Sequence, residues 1–246
     1  MHSLASAITD KFIAAAPKAA AQALAALATH EVLLLIGGLK SQSVVSVLNP
    51  MEAAKAAAVL RRLPLKQASY ILTRLDVPQA AKLWKEFATP YQERLKSVLT
   101  PAFVQLLQSA TGFDVQSVGH FMQTDFVAVR TENKVAELIS RLKNMPRKKI
   151  PLVCFVTDKN GVLKGAIPTA ELAFFNPQAV CGSVMTSTQS LQPKILLTEA
   201  QGVFTQEERA LLPVVNEQNV LLGVLDRVAL LQSLSTKKPF WKKLTK

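Results

Sequence analysis

Few side chains in this sequence have the type and spacing that bond-making chemistry requires. The three histidines, His2, His30 and His120, are scattered, and no His-x-x-x-His, Gly-x-Ser-x-Gly or Cys-x-x-Cys spacing occurs. No Gly-x-x-x-x-Gly-Lys loop is present, which excludes a nucleoside-triphosphate motor of that type. His120 follows Gly119 in a linker and is expected to be an ordinary surface histidine. Glu207-Glu208 is the only adjacent acidic pair, and a solvated helix face accounts for it better than a magnesium site does. Cys154 and Cys181 sit in apolar surroundings and read as buried, reduced thiols. The expectation is a protein that is not an enzyme.

Two basic features could instead make binding surfaces. Residues 141–149, RLKNMPRKK, could meet phosphate groups, although a solvated loop beside a buried strand explains them more simply. Near the end, Lys237, Lys238, Phe240, Trp241, Lys242 and Lys243 interleave cations with aromatic rings. That arrangement suits an anionic membrane surface, with rings at headgroup level and about 1 kcal/mol contributed by each nearby lysine.

The net charge is +12, and its distribution carries more information than its size. Residues 1–110 hold 12 Lys and Arg against 6 Asp and Glu, whereas residues 111–235 hold 12 against 11. Basicity therefore belongs to the first half and the tail, and the second half is no general polyanion binder. The longest apolar candidate, 19–39, carries Gln22, His30 and Glu31 before a Gly37-Gly38 break, so it reads as two helices meeting near Thr29 rather than a membrane span. The start of the chain has Asp10 and Lys11 and no basic segment preceding an apolar run, unlike a secretory leader.

The elements that would carry these residues fall into two kinds. Residues 3–36 are rich in Ala and Leu and helical by propensity, broken softly at Pro17. From Leu39, turns built on Leu48-Asn49-Pro50, Leu63-Pro64, Leu75-Asp76-Val77-Pro78, Phe87-Ala88-Thr89-Pro90 and Leu99-Thr100-Pro101 recur at short, nearly regular intervals. Alanines and leucines follow each turn at helical spacing, and helices this short must stack side by side to persist. The expectation is a right-angled stack of short helices, a compact superhelix ending near Ala110.

After a linker over 111–119, with Gly112 and Gly119 as hinges, come a strand over 126–130 and a helix over 132–143. Its Val135, Leu138, Ile139 and Leu142 form one apolar face. Residues 150–172, IPLVCFVTDKNGVLKGAIPTAEL, read as strand, Asn160-Gly161 turn, strand, and the opening of a helix. Gly165 stands where the second strand must pass close to another group. The same grammar returns over 211–231: Val156 and Val214, Val162 and Val220, Leu163 and Leu221, Gly165 and Gly223 all pair at one constant offset. Two copies of one supersecondary unit, built to pack on each other, are expected. The second copy's helix, over 198–211, contains Gly202 and has a thin apolar face.

These residues carry a resemblance. The sequence resembles the cytosolic region of MgtE-type magnesium transporters, an Ala/Leu helical-repeat N domain followed by a pair of CBS motifs. The N-domain signature is Leu48-Asn49-Pro50 with Ala53-Ala54, Leu63-Pro64, Ile71-Leu72, Leu75-Asp76 and Ala80-Ala81. The junction Gly119-His120-Phe121-Met122-Gln123-Thr124-Asp125-Phe126-Val127-Ala128-Val129, and the closing segments Leu212-Pro213-Val214-Val215-Asn216 and Leu221-Leu222-Gly223-Val224, complete it. The fold class implied is α+β multidomain: an all-α superhelix of short helical repeats, then an α/β tandem CBS (Bateman) module. Domains are expected at 1–38 (Ala-rich helices), 39–110 (N domain), 111–235 (CBS pair, about 117–178 and 179–235) and 236–246 (basic aromatic tail).

The resemblance implies a homodimer with Mg²⁺-binding acidic clefts, but the sequence departs from that pattern. It has no membrane helices, so it is not expected to conduct an ion itself. Asp10, Glu31, Glu52, Asp76, Glu86 and Glu93 are the only acids over 1–110, a region that should repel Mg²⁺. CBS modules that bind adenosine compounds place a hydroxyl residue and, three positions on, an aspartate after the glycine of the second long strand. Here Pro168 stands at the first position and Glu171 at the second. In the other copy Asp226, which would repel phosphate, and Ala229, which cannot bind ribose, stand there. One half-site remains as a cofactor-binding candidate: Gly165, Thr169 and Glu171.

The resulting expectation is a non-enzymatic regulatory or scaffolding protein, dimeric through its CBS pair. It would dock on a protein partner, including a membrane protein, or on an anionic membrane through its tail. Its expected location is cytoplasmic, peripheral at the inner membrane face. The alternative is a sensor of Mg²⁺ or an adenine nucleotide. Nucleic-acid binding ranks last, because the cations of the helical repeats are dispersed rather than striped.

Overall fold

The computed structural model describes residues 4–110, 113–207 and 209–235. Gly112, Glu208 and the tail residues Lys237, Lys238, Phe240, Trp241, Lys242 and Lys243 lie outside them. The chain divides into two compact units, 1–112 and 113–246.

The first unit is helical throughout its described residues. Its helices are α1 (Leu4–Ala15), α2 (Pro17–Ala25), α3 (Thr29–Ile36), α4 (Ser41–Leu48), α5 (Ala53–Leu60), α6 (Leu65–Leu72), α7 (Val77–Glu86), α8 (Thr89–Lys96) and α9 (Pro101–Ser109). Proline opens α2, α7, α8 and α9, where its fixed φ and missing N–H do no harm. From α3 onward each helix packs on the next but one: α3 on α5, α5 on α7, α7 on α9 in one layer, and α4 on α6, α6 on α8 in the other. Small residues make this stacking close. Ala56 and Ala57 of α5 and Ala80 and Ala81 of α7 are all buried, beside Val59, Leu60, Leu83 and Trp84.

Side chains reaching about two turns along the stack hold its corners. The Asn49 side chain accepts the Asp76 backbone N–H at 2.9 Å and donates to its carboxylate. Gln79 Nε2 donates to the carbonyls of Leu48 (3.2 Å) and Met51 (2.7 Å), and the Tyr91 hydroxyl to that of Leu60 (3.1 Å). Helix ends leave such carbonyls without intrahelical partners, so these bonds satisfy groups that packing would otherwise strand.

In the second unit, residues 118–143 supply α10 (Val118–Phe121), β1 (Ala128–Arg130) and α11 (Val135–Lys143). β2 (Val153–Thr157) and β3 (Leu163–Pro168) follow, then α12 (Cys181–Val184) and α13 (Leu197–Glu207). β4 (Leu211–Val215), β5 (Leu221–Asp226) and α14 (Arg227–Ser235) close it. β1 runs parallel to β2 and β2 antiparallel to β3; β4 and β5 form a second antiparallel pair. The sequence repeat is structural: Val156 pairs with Gly165 and Val214 with Gly223, and both hairpins carry a register shift at the next residue. Asp158 accepts the N–H groups of Asn160 and Val162, and Asn216 accepts those of Gln218 and Val220, so the two turns share one geometry.

Several boundaries differ from expectation. β1 begins at Ala128 rather than 126; α11 begins at Val135 rather than 132, because Thr131, Glu132 and Asn133 make the intervening turn. Residues 169–174 (Thr169–Phe174) form a 3₁₀ segment instead of an α-helix. α13 stops at Glu207. Gly119 is no hinge: it lies buried in α10, where an added Cβ would fall 2.5 Å from the Phe113 ring.

β2 is buried on both faces, which explains its unbroken apolar run. Cys154 and Val156 meet Val135, Leu138 and Leu142 of α11 together with Ile167, Leu172 and Cys181. Phe155, on the opposite face, joins Leu163 and Ala166 to Val215, Leu221 and Val224 of the other copy.

Each copy also lends a segment to the other. Gln123 exchanges backbone hydrogen bonds with Val224 of β5 (both 2.8 Å), and Thr186 does the same with Ala166 of β3 (both 2.9 Å). Gly165 and Gly223 admit these visitors. A Cβ at Gly165 would lie 2.6 Å from the Thr186 carbonyl oxygen, and one at Gly223 2.7 Å from that of Gln123. Because the obstructing atoms are paired backbone, Gly165→Ala and Gly223→Ala are each expected to lose about 1–3 kcal/mol in urea unfolding. Wild-type midpoints for both variants would show that the exchange is not a constraint.

Candidate functional site

The candidate half-site sits where β3 runs into the 3₁₀ segment, and its donors are already committed. Thr169 N–H bonds the Leu152 carbonyl at 2.9 Å. The Thr169 hydroxyl donates to the Pro151 carbonyl at 2.6 Å and lies 3.8 Å from Cys154 Sγ. Thr169 thus pins the end of β3 to the residues before β2. Glu171 is exposed two residues further on, and Gly165 faces the visiting Met185-Thr186 segment. The structure therefore brings Thr169 and Glu171 to one short segment, while Gly165 serves as the crossing point of two backbones.

The equivalent position in the second copy is occupied by the chain itself. Asp226, the counterpart of Pro168, accepts the backbone N–H groups of Val228 (2.6 Å) and Ala229 (3.3 Å). Free N–H groups at a helix start are the usual receptors for an anion; here the Asp226 carboxylate takes them. In the sequence Asp226 reads only as a charge opposed to phosphate. An aspartate directly before the helical run Arg227-Val228-Ala229-Leu230 is nevertheless the signal for a cap.

Two short helices are held in the same reciprocal way. The N–H groups of Val118 and Gly119 bond the carbonyls of Ile195 (2.9 Å) and Pro193 (2.8 Å), and those of Cys181 and Gly182 bond Asn133 (2.8 Å) and Thr131 (2.9 Å). A small cavity of about 20 Å³, lined by Gln116, Leu196, Leu197, Thr198, Ser233 and Leu234, has room for a water-sized guest.

Other candidates resolve as follows. Among the described residues no group of three or more His, Cys, Asp or Glu side chains could hold a metal ion, and no helix is long and apolar enough to cross a membrane. Glu207 pairs with Arg209 at 3.3 Å. His120 is half-buried, its ring 5.1 Å from that of Phe121. Arg147, Lys148 and Lys149 form an exposed 3₁₀ turn.

Cys154 and Cys181 are both buried and free. Burial pushes both thiols above the usual range, outweighing the contact between Cys154 and the Thr169 hydroxyl; the Glu137 carboxylate pushes Cys181 further up. Thiolate is the reactive form, so both should be inert in the native state. An Ellman titration at pH 8 is expected to read almost no fast-reacting thiol in the folded protein and two in urea; prompt native reaction would contradict this burial.

The class that this geometry defines is a helical-repeat domain followed by a CBS-domain pair. Residues 14–114 match the family model of the MgtE intracellular N domain, and the chain as a whole resembles the cytosolic region of MgtE-type magnesium transporters. The magnesium transporter MgtE of Thermus thermophilus is 25% identical over 143 residues, 55% of this chain. The chain spans only 30% of that relative's length. The soluble part of a magnesium transporter superposes with a TM-score of 0.52 at 14% identity, covering 95% of this chain and 100% of that one. The cytosolic domain of the Mg²⁺ channel MgtE in complex with ATP gives 0.49 at 23% identity, over 87% and 93%.

Proposed function

We propose that this chain is a non-enzymatic regulatory or scaffolding module, similar to the cytosolic gating region of MgtE transporters. It dimerises through its CBS pair and docks on a protein or membrane partner. The observation that carries this reading is the contrast at equivalent positions of the two copies. The hairpins, crossing glycines and exchanged segments occur in both copies, while the Thr169 hydroxyl is bonded to Pro151 and Asp226 caps the start of α14. The domain limits at 38, 110 and 235 belong to this proposal.

Exposed apolar residues on the helical segments that close each copy support self-association. Val228 (61% exposed) and Leu231 (46%) lie on α14, and Phe174 (86%) ends the corresponding 3₁₀ segment. Val228→Glu with Leu231→Glu is expected to convert a dimer to a monomer in analytical ultracentrifugation, with little change in melting temperature. A wild-type monomer at micromolar concentration would end this reading. For the tail, pelleting with anionic vesicles should fall when residues 236–246 are removed; equal pelleting would remove the tail from the proposal.

A second reading, a sensor of Mg²⁺ or an adenine nucleotide, draws on Glu171, which stands open to solvent beside Thr169. Through linkage it predicts a rise in melting temperature of several degrees at millimolar ligand. A flat response to both ligands sinks it.

A further inference from the structure

We propose that the turn over 147–152 is a docking site for an anionic lipid bilayer, distinct from the tail. The charge of the second unit is strongly polarised. Residues 111–235 hold 12 Lys and Arg, and five of them (Arg141, Lys143, Arg147, Lys148 and Lys149) fall in one short stretch. The remaining seven stand against 11 acids, so the rest of this range is net negative and the five cations form its positive stretch. No acid occurs between Glu137 and Asp158. Two acids stand near the stretch: Glu137, one helical turn before Arg141, and Glu171, two residues past the Thr169–Leu152 hydrogen bond.

Local geometry holds these cations outward. Pro146 and Pro151 bracket the 3₁₀ turn Arg147–Lys149, which is closed by Lys149 N–H to the Pro146 carbonyl (2.7 Å) and Ile150 N–H to that of Arg147 (3.4 Å). All three cations are exposed, and among the described residues none of them is ion-paired. Arg141 donates Nη1 to the Ala128 carbonyl at 2.7 Å, which holds its guanidinium against β1.

Two apolar side chains project beside them, Leu152 at 66% exposure and Ile150 at 38%. A turn that served solubility alone would have no use for them. Successive side chains of a 3₁₀ turn point about 120° apart. They cannot converge on one phosphate, but their long flexible stems can reach separate headgroups on an extended surface. Cations at headgroup level with an adjacent apolar pair inserted below is the pattern of interfacial membrane binding.

The test uses the full chain with its tail neutralised (Lys237→Gln, Lys238→Gln, Lys242→Gln, Lys243→Gln, Phe240→Ser, Trp241→Ser), so that the tail cannot supply the signal. At low ionic strength this background is expected to pellet with mixed phosphatidylserine and phosphatidylcholine vesicles, and not with pure phosphatidylcholine. Adding R147E, K148E and K149E should weaken partitioning by about a hundredfold. Leu152→Ser should weaken it by about tenfold while leaving its salt dependence unchanged, which separates insertion from charge. Arg147, Lys148, Lys149 and Leu152 are exposed, so unchanged melting curves confirm that the turn variants fold. The proposal is overturned if the background does not bind, or if it binds equally well with the triple substitution. Retention of the background on poly-glutamate without vesicle binding also overturns it, and assigns the turn to an acidic protein partner.

Discussion

The second unit depends on one constraint, that two backbones must cross at a distance only glycine permits. Gly165 and Gly223 lie where the segments 185–186 and 122–123 pass over β3 and β5 respectively, and each crossing is locked by a pair of backbone hydrogen bonds. Between the crossings the hairpin tips also meet. Val162 bridges Val220, and Gly161 and Asn219 adopt the left-handed conformation at equivalent places, with φ of 80° and 58°. The face carried by Phe155, Leu163 and Ala166 packs against the other copy's Val215, Leu221 and Val224. Neither copy can therefore bury its sheet alone, and the two must form together.

The same constraint shapes what the unit can bind. Ends of β strands that run into helix N-termini are natural receptors for anions, and each copy has one such end. In the first, the hydroxyl at the start of the 3₁₀ segment is spent on Pro151, just before β2, which ties Thr169 to the fold. In the second, Asp226 supplies the negative charge that an anion would have brought. Both arrangements satisfy polar groups within the chain.

What is legible in the sequence follows from periodicity. The constant offset of valines and glycines locates four strands and two turns, because a hairpin packed on its twin repeats its local pattern. Proline-marked turns likewise locate the short helices, since proline acts within a residue or two of its own position. The exchange of segments is not legible. Met122 and Met185 do not share the offset of the hairpins, because the segments joining them to their own strands differ in length. The partners of Thr169 and Asn49 are equally hidden, at sequence separations of 18 and 27 residues. Position 119 misleads for a related reason: glycine serves both hinges and close contacts, and only the Phe113 ring reveals which.

The two units solve the problem of carrying charge differently. In the helical unit, the buried alanines of α5 and α7 leave no room for a charged side chain between those helices, and its 12 cations are dispersed along the sequence against 6 acids. A dispersed surplus raises the potential everywhere a little and lowers the local concentration of divalent cations. Over residues 111–235 the balance is nearly even, 12 against 11, yet five cations are concentrated in one stretch beside a strand that is buried on both faces. That strand holds no charged residue, and the cations lie just before it in the sequence. A nearly balanced stretch of chain thus carries a local concentration of positive charge over residues 141–149.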